Sequence, residues 1–264
     1  MEQIEVDGLR IAYERVGSGP PLVLVHGYVG DGLTTWRRQI EELCDEFTVV
    51  AWDAPGVGRS SDPPESFGMA GYADCLASFA DALGLGSAHV VGLSFGGALA
   101  LELYRRHPTV PMTFVLVSAY AGWAGSLPAH EAERRLQQAL TLSGLSPAEF
   151  VDALLPTMFC ASTPLDVVAE FGATMREFHP DGFRCIARAA AEDLRDVLAS
   201  VEIPTLLVYG DRDERAPMEV AERLRASIPT SSLVVLRGAG HLCNVEAPEE
   251  FNREVRAFLR NPQR

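Results

Sequence analysis

The chain is short of the features that hold together a small secreted domain or bind a polyanion. Only five cysteines, Cys44, Cys75, Cys160, Cys185 and Cys243, occur among 264 residues. Their number is odd, their positions are scattered and no CxxC pair is present, so reduced thiols are expected rather than a disulfide framework or a zinc site. Positive charge is scarce as well: 22 Lys and Arg against 36 Asp and Glu leave a formal net charge of −14. Basic residues cluster only as pairs such as Arg37-Arg38, Arg105-Arg106 and Arg134-Arg135, so a phosphate backbone is repelled and no nucleic acid is expected as partner. Apolar runs long enough to span a bilayer are missing, which argues against a membrane protein. The start, Met1-Glu2-Gln3-Ile4-Glu5, has neither the positive region nor the apolar stretch of a signal peptide, making a cytoplasmic location the default expectation. A monomer or homodimer is the default assembly.

What remains is an ordinary folded composition, with 47% hydrophobic and 22% charged residues. Ile4 and Val6, then Leu9, Ile11 and Tyr13, alternate with polar residues on either side of Asp7-Gly8, the pattern of a hairpin. Leu22-Val23-Leu24-Val25 is a continuous apolar run, as expected of a strand covered on both faces. Similar runs recur at 47–52, 89–92, 113–117, 205–209 and 232–236, which with the hairpin makes eight strands. Helical patterns at Trp36–Cys44, Tyr72–Leu83, Phe95–Arg106, Val220–Ile228 and Glu249–Leu259 alternate with them. That alternation predicts an α/β fold with a mostly parallel eight-stranded sheet flanked by helices.

The alternation stops between Ser118 and Pro204, where helical segments occur without a strand. An inserted helical cap is expected over 122–198, dividing an α/β core into 1–121 and 199–264. Its helices are predicted at Ala129–Leu140, Pro147–Leu154, Leu165–Arg176 and Gly182–Leu198, separated by Ser143-Gly144, Ser162-Thr163-Pro164 and His179-Pro180.

Gly92-Leu93-Ser94-Phe95-Gly96 matches G-x-S-x-G, a short pattern whose weight comes from its setting. It follows the apolar strand ending at Val91 and opens the helical stretch from Phe95, the strand-turn-helix context of a nucleophile elbow. A serine hydroxyl is a poor nucleophile at neutral pH; it needs a base, usually histidine, and that histidine needs a carboxylate to fix its tautomer. Of the six histidines, His241 alone follows Ser94 in a glycine-rich loop directly after the last strand. His107 ends a helix, and His130 and His179 fall in the insertion. The loop after the penultimate strand, Gly210-Asp211-Arg212-Asp213-Glu214, offers three carboxylates between which the residues alone do not choose. An oxyanion also needs N–H donors, and the Phe95 backbone, next to the nucleophile at a helix N-terminus, supplies one.

These segments, in this order, resemble the α/β-hydrolase fold across almost the whole chain. His26-Gly27-Tyr28 is similar to that family's His-Gly-x segment, and Asp53-Ala54-Pro55-Gly56-Val57-Gly58-Arg59-Ser60-Ser61 to a loop that shapes the core beside the site. The resemblance implies the Tyr28 backbone N–H as second oxyanion donor, His26 as a structural histidine, and Asp213, ahead of Asp211, as the acid. A serine rather than an aspartate at the elbow directs the chemistry to acyl transfer, with no metal or cofactor expected. The strings His241-Leu242-Cys243-Asn244-Val245-Glu246-Ala247-Pro248 and Ala190-Ala191-Glu192-Asp193-Leu194-Arg195 resemble 3-oxoadipate enol-lactonases. The expectation is therefore a serine hydrolase of esters or lactones, of enol-lactone or N-acyl homoserine lactone type. A carbon–carbon bond hydrolase, a cofactor-free haloperoxidase and a ligand receptor remain as alternatives. Apolar insertion residues, among them Trp123, Leu127, Leu140, Leu154, Met158, Phe159 and Phe171, serve either as its core or as a pocket lining.

Overall fold

A computed structural model describes residues 1–262. Eight strands form one sheet: β1 (Glu2–Val6), β2 (Leu9–Val16), β3 (Pro21–Val25), β4 (Thr48–Trp52), β5 (Ala88–Leu93), β6 (Pro111–Val117), β7 (Thr205–Gly210) and β8 (Ser231–Leu236). Their spatial order is β1-β2-β4-β3-β5-β6-β7-β8. β1 pairs with β2, and β2 with β4, in antiparallel fashion; every later pairing is parallel. The eight-stranded, mostly parallel sheet flanked by helices is the one expected from the sequence.

Chain order reverses at β3, since β4 lies on one side of it and β5 on the other. Loops leaving β3 and β5 therefore diverge and open a crevice at the carboxyl ends of the strands, where sheets of this kind place their ligands. β3 and β5 are buried almost throughout, as strands covered on both faces must be. The covering helices fall into two groups: α1 (Gly32–Leu43) packs with α12 (Pro248–Arg260), and α2 (Gly68–Ala82) with α3 (Phe95–Arg106). Local signals set their starts. The Asp31 carboxylate accepts from Thr34 N at 2.6 Å, and α12 opens on Pro248 with Glu249 and Glu250 in its first turn.

Between β6 and β7 lie α4 (Trp123–Ser126), α5 (Ala129–Leu142), α6 (Pro147–Leu154), α7 (Leu165–Met175), α8 (Pro180–Ala190) and α9 (Arg195–Leu198). The single helix predicted over Gly182–Leu198 is two helices, and the physical cause is visible at the break. Glu192 turns its carboxylate to accept from Met69 N at 2.8 Å, and Leu194 N donates to Ala121 O at 2.9 Å, so this stretch bonds outward instead of continuing the helix. α10 (Met218–Ser227) and α11 (Cys243–Glu246) complete the set. The final two positions of the predicted 199–264 segment lie outside the described residues. Among the described residues no helix is long and apolar enough to cross a membrane.

Two buried polar clusters lock the elements behind the crevice. In the first, Gln39 Nε2 donates to Asn252 Oδ1 (2.9 Å) and Asn244 O (3.1 Å), while Asn244 Nδ2 donates to Thr35 O (2.8 Å) and Gln39 Oε1 (3.3 Å). This ties α1 to α11 and α12. In the second, Asp53 at the end of β4 accepts from Gly32 N (2.9 Å) and Arg59 N (3.1 Å). Burial pushes the Asp53 carboxyl up to about 6; the two N–H groups pull it down and the charge of Asp31 adds to the rise.

Replacing Asn244 by Ala removes donors from buried acceptors and leaves a small void, so Asn244→Ala is expected to lower stability by about 2–4 kcal/mol. The midpoint of urea unfolding reads this directly. Asp53 has a defined pH signature. Its folded value lies above the ordinary 3.8, so its contribution to stability is greatest below that value and declines as pH rises through about 6. The loss amounts to about 3 kcal/mol. Urea midpoints of wild type and Asp53→Asn, compared across that interval, should diverge in this direction, and a carboxyl NMR titration of Asp53 should show a midpoint near 6.

Candidate active site

Ser94 stands between β5 and α3 at φ 53, ψ −108, a conformation that non-glycine residues rarely adopt. The neighbouring glycines explain how the chain reaches it. A Cβ at Gly92 would land on the Gly96 carbonyl, and one at Gly96 on the carbonyl oxygens of Val25 and His26, so only glycine lets α3 approach β3 and β5 this closely. Ser94 N donates to Val117 O at 2.8 Å, pinning the turn to the neighbouring strand. The serine lies at the positive end of α3 and is 6% exposed.

Two and three strands away, the loops after β7 and β8 bring Asp213 and His241 together. His241 Nδ1 lies 2.9 Å from Asp213 Oδ2 and 3.1 Å from Oδ1, with both side chains buried. Asp213 Oδ1 also accepts from Arg215 N (2.9 Å) and Ala216 N (2.8 Å). Burial alone would raise the Asp213 carboxyl, but His241 and the Ala216 N–H hold it below its ordinary value. The carboxylate therefore selects the tautomer with hydrogen on Nδ1 and leaves Nε2 as the basic nitrogen. Nε2 is buried and has no partner among the described residues. Asp211, the other acid in this loop, turns away: it accepts from Gly238 N at 2.6 Å and props the histidine loop.

The loop after β3 is equally fixed. His26 Nε2 accepts from Ala54 N at 2.9 Å, so the ring hydrogen is on Nδ1, which donates to Gly27 O at 2.6 Å. Burial lowers the His26 pKa and keeps the ring neutral, consistent with a structural role. Tyr28 follows, its ring against Trp123 and Phe183 and its hydroxyl accepting from Arg215 Nη2 at 2.7 Å. Val25 is level with Gly92 in the β3–β5 pairing, so the Tyr28 and Phe95 backbones leave the sheet side by side. Cys243, close to His241 in sequence, has its thiol pushed up by burial, which disfavours the reactive thiolate.

Two residues with structural roles at the site were not singled out from the sequence. Glu246 accepts from Gly240 N (3.0 Å) through one oxygen, and from Cys160 N (3.0 Å) and Thr163 Oγ1 (2.7 Å) through the other, coupling the histidine loop to the segment between α6 and α7. Arg135 donates to Tyr120 OH and to Arg215 O, both at 2.8 Å, and so holds the acid loop from α5. Glu246 stands in the lactonase-like string after His241 but had no role assigned there, and Arg135, far from Asp213 in sequence, carried no signal beyond its charge. The apolar insertion residues divide in use: Leu127 and Met158 are buried in the core, whereas Trp123, Leu154 and Phe171 also line cavities. Among the described residues no group of His, Cys, Asp or Glu side chains converges as a metal site requires.

Known proteins with this fold are numerous. A thermophilic esterase from Thermogutta terrifontis superposes with a TM-score of 0.91 at 30% identity, covering 100% of both chains. The enol-lactonase from Burkholderia xenovorans gives 0.90 at 25% identity, covering 98% of this chain and 100% of that one. In sequence, a carbamate hydrolase candidate of Caulobacter sp. is 32% identical over 275 residues, 98% of each chain. The model of the alpha/beta hydrolase family matches residues 22–254, which include every loop at the sheet's carboxyl edge described above. The chain belongs to the alpha/beta hydrolase family and is a hydrolase.

Proposed function

We propose that the chain cleaves carboxylic esters or lactones through an acyl-enzyme on Ser94, with His241 shuttling the proton and Asp213 orienting His241. The observation that carries this reading is the buried Asp213–His241 pair, whose unpartnered Nε2 shares a sheet edge with the strained Ser94 elbow. In apo structures such hydrogen bonds are often open and tighten only with substrate bound.

As the Ser94 oxygen bonds to the substrate carbonyl carbon, its proton passes to His241 Nε2 and the carbonyl electron pair moves onto oxygen. The Tyr28 and Phe95 N–H groups stabilise that oxyanion, each by about 3 kcal/mol. Collapse breaks the bond to the alkoxy oxygen, which takes the proton from Nε2; in a lactone this oxygen stays attached as the hydroxyl end of the acyl chain. Water then gives a proton to Nε2 as it attacks the acyl carbon, and Ser94 departs with that proton returned. Asp213 stays ionised throughout and stabilises the imidazolium. Substrate and water close the cycle, so no metal or organic cofactor is required.

The esterase and the enol-lactonase, at 30% and 25% identity, support ester and lactone carbonyls alike. The carbamate hydrolase candidate favours a second reading, because a carbamate presents a carbonyl open to the same attack. Rates on nitrophenyl esters, simple lactones, N-acyl homoserine lactones, an enol-lactone and a carbamate separate these classes.

A fluorophosphonate should label Ser94 and abolish turnover; an active preparation in which mass spectrometry finds Ser94 unlabelled would sink the idea. Ser94→Ala should retain binding but lose about 10⁴-fold or more in kcat. Asp213→Asn should leave the fold intact and lower kcat by roughly the same factor, because an amide no longer enforces hydrogen on Nδ1. A kcat within tenfold of wild type for either variant would count against the assigned roles.

A further inference from the structure

Beside Tyr28 a cavity of about 350 Å³ opens between the sheet edge and the insertion, lined by Trp123, Arg135, Thr157 and Arg215 among others. Its positive charge stands out in a chain of net charge −14. Arg134, Arg135 and Arg215 line it, against the single carboxylate of Glu214. Arg135 and Arg134 already share Glu131, at 3.3 and 3.8 Å.

Arg215 differs from those two. It is half-buried, and its guanidinium is held by neutral acceptors only: Nη2 donates to Tyr28 OH (2.7 Å) and Nη1 to Thr157 Oγ1 (2.9 Å). Its Nε is buried without a partner, and among the described residues no carboxylate pairs with it. Its charge also lies over the Tyr28 ring, 5.3 Å from the centroid. A charge drawn partly out of water is costly unless something pairs with it, and an incompletely used guanidinium fork matches a planar carboxylate. Position makes the match functional. Arg215 is two residues beyond Asp213, and it grips the side chain of the residue whose backbone N–H is the proposed oxyanion donor. Arg135, bonded to the Arg215 carbonyl, positions it.

We propose that Arg215 is a specificity-determining residue that receives an ionised carboxylate at the far end of the acyl chain, so that half-esters of linear dicarboxylic acids are preferred substrates. This rests on the Ser94 acyl-enzyme reading. The carboxylate takes the unused donors of Arg215, and the surplus positive charge of the cavity draws anionic substrates in. The acyl length that fits is set by the span from Ser94 to the guanidinium.

The test compares kcat/KM for 4-nitrophenyl half-esters of succinic, glutaric and adipic acid with that for their uncharged, methyl-capped counterparts. For at least one length, wild type should prefer the anionic ester by about tenfold or more. Arg215→Gln should lose that preference by about the same factor, and Arg215→Lys, keeping the charge without the fork, should retain part of it. A preference is a ratio within one protein, so a general loss of folding or of serine reactivity cancels; should Arg215→Gln not fold, Arg215→Lys carries the comparison. No anionic preference at any length in wild type, or the same preference in the variants, overturns the proposal. Failure of the underlying reading looks different: Ser94→Ala would then hydrolyse both esters at the wild-type rate. In that case calorimetric binding of glutarate to wild type and Arg215→Gln still decides, since tenfold weaker binding supports the carboxylate receptor and equal binding overturns it.

Discussion

The site depends on one close approach, that of α3 to β3 and β5 at Gly92 and Gly96. Ser94 occupies a backbone conformation that costs on the order of 1–3 kcal/mol, and such strain persists only where the surroundings over-determine it. They do so here. The first nine residues of α3, from Phe95 to Leu103, are all buried, and Ser94 N is tied to Val117 O. Relaxing the serine would mean lifting a whole apolar helix face off the sheet, which is far more costly than the strain. The same contact fixes the turn that carries the Ser94 hydroxyl and starts α3 at Phe95, so one packing constraint serves both roles proposed there, nucleophile and oxyanion donor.

On the other side of the crevice the controlling factor is charge in a dry place. Asp213 is buried as a carboxylate and is stable there because the His241 ring and two backbone N–H groups satisfy it. His241 is in turn positioned by a glycine loop whose N–H groups bond to Asp211 and Glu246. Through its second oxygen, Glu246 holds the Cys160–Thr163 segment. The segment between α6 and α7 is thus mechanically joined to the loop that carries His241.

How much of this the sequence discloses follows from the range of the interactions. Strands buried on both faces read plainly as apolar runs, and the loops at their carboxyl ends bear the short patterns around Ser94, Asp213 and His241. α3 and α6 appear at their true bounds because caps and turns terminate them locally; Ser146 and Glu149 form a reciprocal capping box. The break between α8 and α9 was illegible because it depends on Met69, far away in sequence. Arg215 was illegible for the same reason: its partners, Tyr28 and Thr157, lie 187 and 58 residues away. Periodicity records which face of an element is buried, but not which distant hydroxyl a guanidinium will meet.

Tyr28 is where these two kinds of information join. Its backbone belongs to a loop fixed from below, because the neutral His26 ring bonds both to Gly27 and to the β4 loop at Ala54. Its side chain belongs to the insertion, packed on Trp123 and Phe183 and gripped by Arg215. Positions that must not move are therefore secured by the sheet, whose pattern any member of the fold has to preserve. The surface proposed to meet the variable part of a substrate is assembled from the insertion and from Arg215. A change on that upper side can alter what is bound without disturbing the N–H groups below, provided the His26 anchor holds. The separation explains how a single carboxyl-edge geometry is compatible with relatives as different as an esterase and an enol-lactonase.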